Sequence, residues 1–474
     1  MRFFIGLGFG TVFALLVHAR SEAEDRPEYT RKGQKYMPYV QGFILPFYMV
    51  LIAAFGITRQ TVLSVCFSIF LQISIYYAVL IPLLPFLRRR ISARACAMLW
   101  LIPNYLYLVQ SHAASLNIPM LVITTPGNLV WTLMSIWFAG FVGVLGWKII
   151  AHIRFRRQIL GGAEEYADLA ARQQWKLMLT EMRMSEKNIP LLVSDRISTP
   201  VAVGLFQRTT VVVLPKKAYT REELELIFHH EIVHIGRMDP WNKVFLVFCT
   251  AMCWFNPLMW IAMARSAEDL ELSCDETVLL DADDDTRKKY AELLLNTAGD
   301  GRGFTTCLSA SANALRYRLK NIVKPTARST GAALVGVTFF FLSITCGYVA
   351  LGYDEAKGSE ILIDSGDSRG YVLTVRSSDL PVSEQDLKLA DGDGILEYLS
   401  GQTMYRITGQ YTFSASNRSA TLYLDVPNGA DCYLFVYDNA IELYRFNASG
   451  TEPEYYHLPE GVNWKLLDQL IAGS

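Results

Sequence analysis

Apolar residues run almost unbroken through six stretches of the chain, at 3–19, 38–57, 62–87, 94–112, 128–150 and 331–352. Each is long enough, or nearly so, to cross a hydrocarbon core about 30 Å thick. Between 151 and 330 the pattern changes. Ala163–Met184 reads as a charged helix, and Leu191–Ser194, Ala202–Phe206 and Thr210–Leu214 read as short strands separated by turn residues. Thr220-Arg221-Glu222-Glu223 has the T-x-x-E form of a capping box, and Leu224, Ile227, Phe228, Glu231, His234 and Ile235 then recur at helical spacing. Residues 244–263 are apolar enough to pass for another span, but Asn256-Pro257 interrupts them, so they read as a helix pair. A further helix is expected around Arg287–Leu295, then a Gly/Ser/Thr-rich loop at Gly299–Ala312. Beyond residue 352, runs such as Tyr371–Val375, Tyr411–Phe413, Thr421–Leu424 and Tyr433–Tyr437 cluster β-formers between Gly, Asn and Asp turns, which predicts a small β-rich domain over 353–474. Its many tyrosines and phenylalanines suit either a strand core or a binding surface.

Charge assigns sides to these segments. Arg88, Arg89, Arg90 and Arg94 crowd one loop, and Lys148, Arg154, Arg156 and Arg157 follow the fifth stretch, whereas the 113–127 loop has no Lys or Arg. By the positive-inside rule the arginine loop and residues 151–330 are cytosolic, and 353–474 lie outside the cell membrane. The first stretch could be a signal peptide ending near Ala19. Five Lys/Arg in 20–36 favour an anchor instead, because cleavage would reverse the arginine loop. The expected architecture is a multi-span α-helical membrane protein: a bundle over 1–150, an α+β domain over 151–330, a last span at 331–352 and an extracytoplasmic β domain. Apolar residues at 51%, charged ones at 19% and a net charge of -1 agree with this and give no case for direct nucleic-acid binding. The eight cysteines lack CxxC spacing, and only Cys432 falls in the outer domain, so no disulfide framework is expected.

The helix starting near Thr220 carries the most specific chemistry, His230-Glu231-Ile232-Val233-His234, of the form HExxH. Histidines four apart project from one helix face about 5–6 Å apart, so both imidazoles can reach one metal ion. Glu231 lies between them as a candidate general base for a water whose pKa zinc lowers to about 7. A catalytic zinc usually takes three protein ligands, so a further donor is expected downstream. The run Arg265–Glu276 supplies Glu271 and Asp275, four apart on a second helix. One of them can bind metal while the other hydrogen-bonds a ligating imidazole, and Glu268 is a further candidate.

HEIVH, the Trp254-Phe255-Asn256-Pro257 turn and Glu271-Leu272-Ser273-Cys274-Asp275-Glu276 together resemble the BlaR/MecR-type membrane metallopeptidases, whose pattern is HExxH followed by E-x-x-C-D. Ser198-Thr199-Pro200, Gly204 and Leu214-Pro215 fit the run that precedes the family's zinc helix. The resemblance covers about residues 62–350. It implies a gluzincin-like zinc domain with His230, His234 and Glu271 as metal ligands, Glu231 as general base and Asp275 behind a ligand. It also implies a signalling role, in which an unknown external ligand leads the protease to cut itself or a cytosolic repressor. The chain departs from the family's antibiotic sensors: 353–474 has no S-x-x-K motif and is too short for a penicillin-binding fold. Two other readings fit parts of the pattern. One is a housekeeping membrane protease of the HtpX or CAAX-prenyl type, and the other is a non-catalytic receptor with a structural metal.

Overall fold

A computed structural model of the chain describes residues 59–105, 121–126, 129–181, 188–205, 209–237, 239–298, 312–324, 329–345, 349–362, 369–376, 390–407, 418–425, 432–445 and 453–473, with Met184 and scattered positions between 7 and 18. The stretch at 38–57 and the loop expected at 299–311 lie outside the described residues. Contacts divide the chain into two compact units, one of Met1–Ala54, Phe70–Tyr107 and Phe138–Thr345, the other of Phe55–Ile69, Leu108–Trp137 and Cys346–Ser474.

The first unit is mainly helical. Helix α1 (Arg59–Leu87) is followed by the arginine loop and α2 (Ala93–Leu101), which Ser92 caps by accepting from the Ala95 amide. Strand β1 (Leu121–Thr124), which belongs to the second unit, and the long α3 (Leu129–Leu160) come next along the chain. At 1.5 Å per residue α3 extends about 48 Å, more than a hydrocarbon core needs. Leu133, Ile136, Phe138, Val142, Trp147, Ile149 and Ile150 stand exposed along it. Among the described residues, Cys66–Leu87 of α1 and Leu129–Leu160 are helices long and apolar enough to cross a membrane, and Ala332–Leu342 is a shorter apolar helix.

One expected span comes out shorter than its apolar run, and another is described only in part. In 94–112 the helix ends at Leu101 and a 3-10 turn follows over Ile102–Tyr105, where Pro103 supplies no amide donor to continue the ladder. The residues after 105 lie outside the described set. In 331–352 the helix stops at Thr345, and residues from Val349 onward join a sheet. At the start of the chain, described residues between 7 and 18 are helical, and Gly10 and Gly336 meet there. A Cβ on Gly10 would stand 2.8 Å from the Gly336 carbonyl, and one on Gly336 2.6 Å from the Ala14 methyl. Such small residues let helix backbones approach closely within a membrane.

The described residues between 164 and 323 build the core that carries the HExxH motif. Strands β2 (Glu164–Glu165), β3 (Leu191–Ser194), β4 (Val201–Val203) and β5 (Val211–Pro215) form a sheet in the order β2-β3-β5-β4. β3 and β5 are parallel, and β4 runs antiparallel to β5 with Ala202 opposite Val212. The strand expected over Thr210–Leu214 is therefore internal, and β4 is an edge strand. Gly204 makes the return from β4 possible. Its φ is +139°, and a Cβ there would sit 2.5 Å from the Thr209 carbonyl.

Helix α4 (Leu169–Glu181) packs on this sheet beside α5 (Arg221–Arg237), where the Trp175 ring meets Phe228 edge-on at 5.1 Å. Then come α6 (Asp239–Met252), α7 (Pro257–Val278), α8 (Asp284–Ala298), α9 (Ala312–Val323) and α10 (Ala332–Thr345). The apolar stretch 244–263 is thus the expected helix pair. Asn256 caps α7 by accepting from the Leu258 amide, Pro257 occupies its first turn, and Phe245, Phe248, Cys249, Ala251 and Met252 are buried.

The second unit is a nine-stranded sheet with short helices on one face. Its order is β1, β6 (Val349–Lys357), β9 (Thr403–Ile407), β13 (Glu454–His457), β12 (Ala440–Arg445), β11 (Cys432–Val436), β10 (Ser419–Asp425), β7 (Arg369–Arg376) and β8 (Ala390–Asp391). Leu422, Leu424, Leu434, Val436, Ile441 and Leu443 point to one face and bury against Ile361 and Leu362 of α11 (Gly358–Leu362) and Leu396, Leu399 and Leu467 of α12 (Asp393–Ser400) and α13 (Trp464–Gly473). Tyr371, Tyr423, Tyr433 and Tyr444 alternate with these and fall in one cross-strand row over four strands. The sequence pattern gave no sign of β1, which pairs in parallel with β6, Leu121 opposite Val349.

Candidate metal centre

The helix bearing the motif is fixed at both ends. The expected capping box forms: the Thr220 amide donates to Glu223 Oε2 at 2.8 Å, and the Glu223 amide to Thr220 Oγ1 at 3.2 Å. At the far end Arg237 is buried and donates to the Ser273 hydroxyl at 3.0 Å, the Ser273 carbonyl at 3.2 Å and Thr277 Oγ1, which bolts α5 to α7. The two motif histidines project into the space between these helices. Their rings stand edge to face, 4.7 Å between centroids, and His230 Nε2 is 3.1 Å from His234 Nε2.

Glu271 closes a triangle with them. Its Oε2 is 3.5 Å from His230 Nε2 and 3.6 Å from His234 Nε2. Donors about 2.0–2.1 Å from a tetrahedral ion stand roughly 3.3 Å apart, so these three atoms fit one zinc-sized ion with a position left open. Cys274 also lies close, one donor atom each of His230, His234 and Cys274 falling within 4.8 Å of one another. Its Sγ is 3.4 Å from His230 Nδ1 and 3.5 Å from the His230 carbonyl, and it also interacts with the His234 ring. Glu271 and Cys274 thus each stand as a third donor beside the two imidazoles. Glu231 is buried on the same helix. Glu268, the further candidate, lies away from the triangle and pairs with Arg265 at 3.1 Å.

Each ligating ring is held from behind. His234 Nδ1 lies 2.6 Å from Asp239 Oδ2, a carboxylate only 1% exposed at the start of α6. His230 Nδ1 lies 2.8 Å from the Tyr290 hydroxyl, which donates to Asp275 Oδ1 at 2.8 Å. Arg318 of α9 grips Asp275 with two bonds, Nε to Oδ2 at 2.7 Å and Nη2 to Oδ1 at 2.8 Å. Such partners select the Nδ1–H tautomer and leave Nε2 free for a metal. Asp275 thus meets His230 through the Tyr290 hydroxyl, its nearer oxygen 3.8 Å from Nδ1. The sequence gave no sign of Tyr290, Arg318 or Asp239 in these roles.

The electrostatics suit a cation. Burial alone would lower the pKa of His230, but Cys274 and Glu271 beside it push it up to about 10. His234 is likewise raised well above its ordinary value against the pull of burial, by Cys274, Glu271 and Asp239. Burial would raise the Glu271 carboxyl, yet the two imidazoles and Lys243 hold it well below the usual range.

A helix with paired histidines facing a carboxylate on a second helix, against a small mixed sheet, defines a peptidase-like metal domain. The model of the BlaR1 peptidase M56 family matches residues 65–322, more than half of the chain, and the protein belongs to that family. It is similar to the regulatory protein BlaR1 of Bacillus licheniformis, 29% identical over 140 residues, which is 29% of this chain and 23% of that protein. It is also similar to the methicillin resistance mecR1 protein of Staphylococcus aureus (strain Mu50 / ATCC 700699), 26% identical over 172 residues, 35% of this chain and 28% of that one. The matched part thus spans about a quarter of these relatives' length.

Proposed function

We propose that the chain is a multi-pass membrane zinc endopeptidase of a signalling pathway. The observation that carries this is the triangle of His230 Nε2, His234 Nε2 and Glu271 Oε2 at 3.1, 3.5 and 3.6 Å on a helix that also bears Glu231. These three residues hold the ion, Asp239 orients His234, and Tyr290 with Asp275 and Arg318 orients His230. Zinc bound there supplies a water of lowered pKa and polarises the scissile carbonyl. Glu231 takes the proton of the attacking water and passes it to the leaving amine. The edge strand β4 offers backbone donors and acceptors on which an extended substrate segment can pair.

Topology supports a cytosolic catalytic domain and an outer β domain. Because 121–124 hydrogen-bonds with 349–352, the segment before α3 and the chain after α10 lie on the same side of any bilayer those helices cross. The arginine-rich ends Arg88–Arg94 and Arg154–Arg157 then belong to the cytosolic side. The substrate is the protein itself or a cytosolic repressor, and the outer domain receives the cue.

The test is proteolysis in membranes, comparing wild type with Glu231→Gln for cytosolic fragments of the chain and of co-expressed repressors. Fragments that vanish in the variant while zinc stays bound support the reading. Identical fragment patterns would contradict it and favour a metal-stabilised receptor.

A further inference from the structure

Helix α7, which carries Glu271, is fastened along its other side to the end of the apolar helix α1 and to α2. At its start Asn256 Nδ2 donates to the Ser74 hydroxyl of α1 at 2.8 Å. At its end Glu276 Oε2 accepts from the Ala93 amide at 2.9 Å, and Arg94 donates to Thr277 Oγ1 at 3.4 Å. Between them lies Asp269, fully buried. Arg88, the first residue after α1, brings Nε within 2.7 Å of Asp269 Oδ1, and Trp100 Nε1 of α2 donates to Oδ2 at 2.7 Å. The Arg88 guanidinium also stands over the Tyr317 ring, 5.5 Å from its centroid, so α9 shares the junction.

Asp269 and Glu271 are two residues apart. Successive helical residues turn by about 100°, so two steps place these carboxylates on nearly opposite faces of α7, at almost the same height. A shift or roll of α7 at Asp269 is therefore a shift at Glu271. A buried ion pair is a poor source of stability, since an apolar pair of similar volume does as well or better, but it fixes one geometry where an apolar contact tolerates several.

We propose that Asp269, held by Arg88 and Trp100, is a positioning residue that sets Glu271 against the two histidines, and that the junction passes movement of α1 to the metal. This deepens the metallopeptidase reading and rests on His230, His234 and Glu271 holding zinc. A cue that displaces the end of α1 would change the Glu271 donor distance without any contact between the cue and the site.

The experiment measures zinc release to a chromophoric chelator from the full-length, zinc-loaded protein in lipid nanodiscs. The variants are Asp269→Asn, Arg88→Lys and the paired neutral Arg88→Met/Asp269→Leu. The last keeps the junction packed without a charge, so it retains the fold even if a single variant does not. Residues that act on a site through others typically modulate it by a few-fold to about thirtyfold, so zinc should leave Asp269→Asn and the neutral pair about threefold faster or more, with Arg88→Lys in between. Thermal unfolding of the zinc-free neutral pair should match wild type. Release at the wild-type rate from every folded variant would overturn the tether and leave the metal site standing. A wild-type protein that takes up no zinc would overturn both.

Discussion

His230 and His234 carry the pH behaviour of the metal-free protein. With its folded pKa at about 10 against an ordinary 6.5, protonated His230 contributes stability that is fully present below pH 6.5 and is lost as pH rises through about 10. Glu271 is depressed, so its contribution is present above its ordinary 4.5 and is lost as pH falls through the lower folded value. Chelator-stripped protein should therefore melt at progressively lower temperature as pH is raised from 6.5 to 10, and the zinc-loaded form should not follow, because the ion has replaced those protons. Thermal unfolding over that pH range checks this, and a stripped form whose melting temperature stays flat would contradict it. These residues were legible in the sequence because their spacing is local. HExxH and Glu271/Asp275 are both four-residue repeats on one helix face. Asp239, Tyr290 and Arg318 were not. Asp239 carries the same Asp-Pro signal as any helix stop, and the other two reach the site from α8 and α9, which only the tertiary fold brings to His230.

Among the elements, those specified by local chemistry could be read directly. The capping box starts α5, and Asn256-Pro257 divides the apolar stretch into α6 and α7. Pairing partners could not be read. β5 is internal only because β4 folds back on it, and β1 is a four-residue strand whose partner lies more than two hundred residues away. Of the span expected over 94–112, the described part is a helix to Leu101 followed by a 3-10 turn that holds Pro103. The return from β4 depends on Gly204. Alanine there must take an unfavourable φ and meet the Thr209 carbonyl, so Gly204→Ala should destabilise the metal domain by about 1–3 kcal/mol. Denaturant unfolding of the full-length protein measures it, and a change below about 0.5 kcal/mol, typical of a neutral surface substitution, would contradict this account of the turn.

At the scale of the molecule, composition and charge distribution anticipated a membrane-associated chain with a polar metal domain and a β-rich end, and family membership supports the peptidase domain over 65–322. The metal centre draws on five helices, α5 to α9, and each contributes a group to the two histidines, to Glu271 or to the partners behind them. The central claim is that this assembly holds zinc by three protein ligands and leaves a position open, as hydrolysis requires and a structural site does not. Zinc K-edge X-ray absorption on the full-length protein tests it most directly. The account predicts one zinc per chain with a shell of nitrogen and oxygen at about 2.0–2.1 Å, two imidazoles among the donors and no sulfur. A sulfur shell at about 2.3 Å would place Cys274 on the metal in a closed site and contradict it.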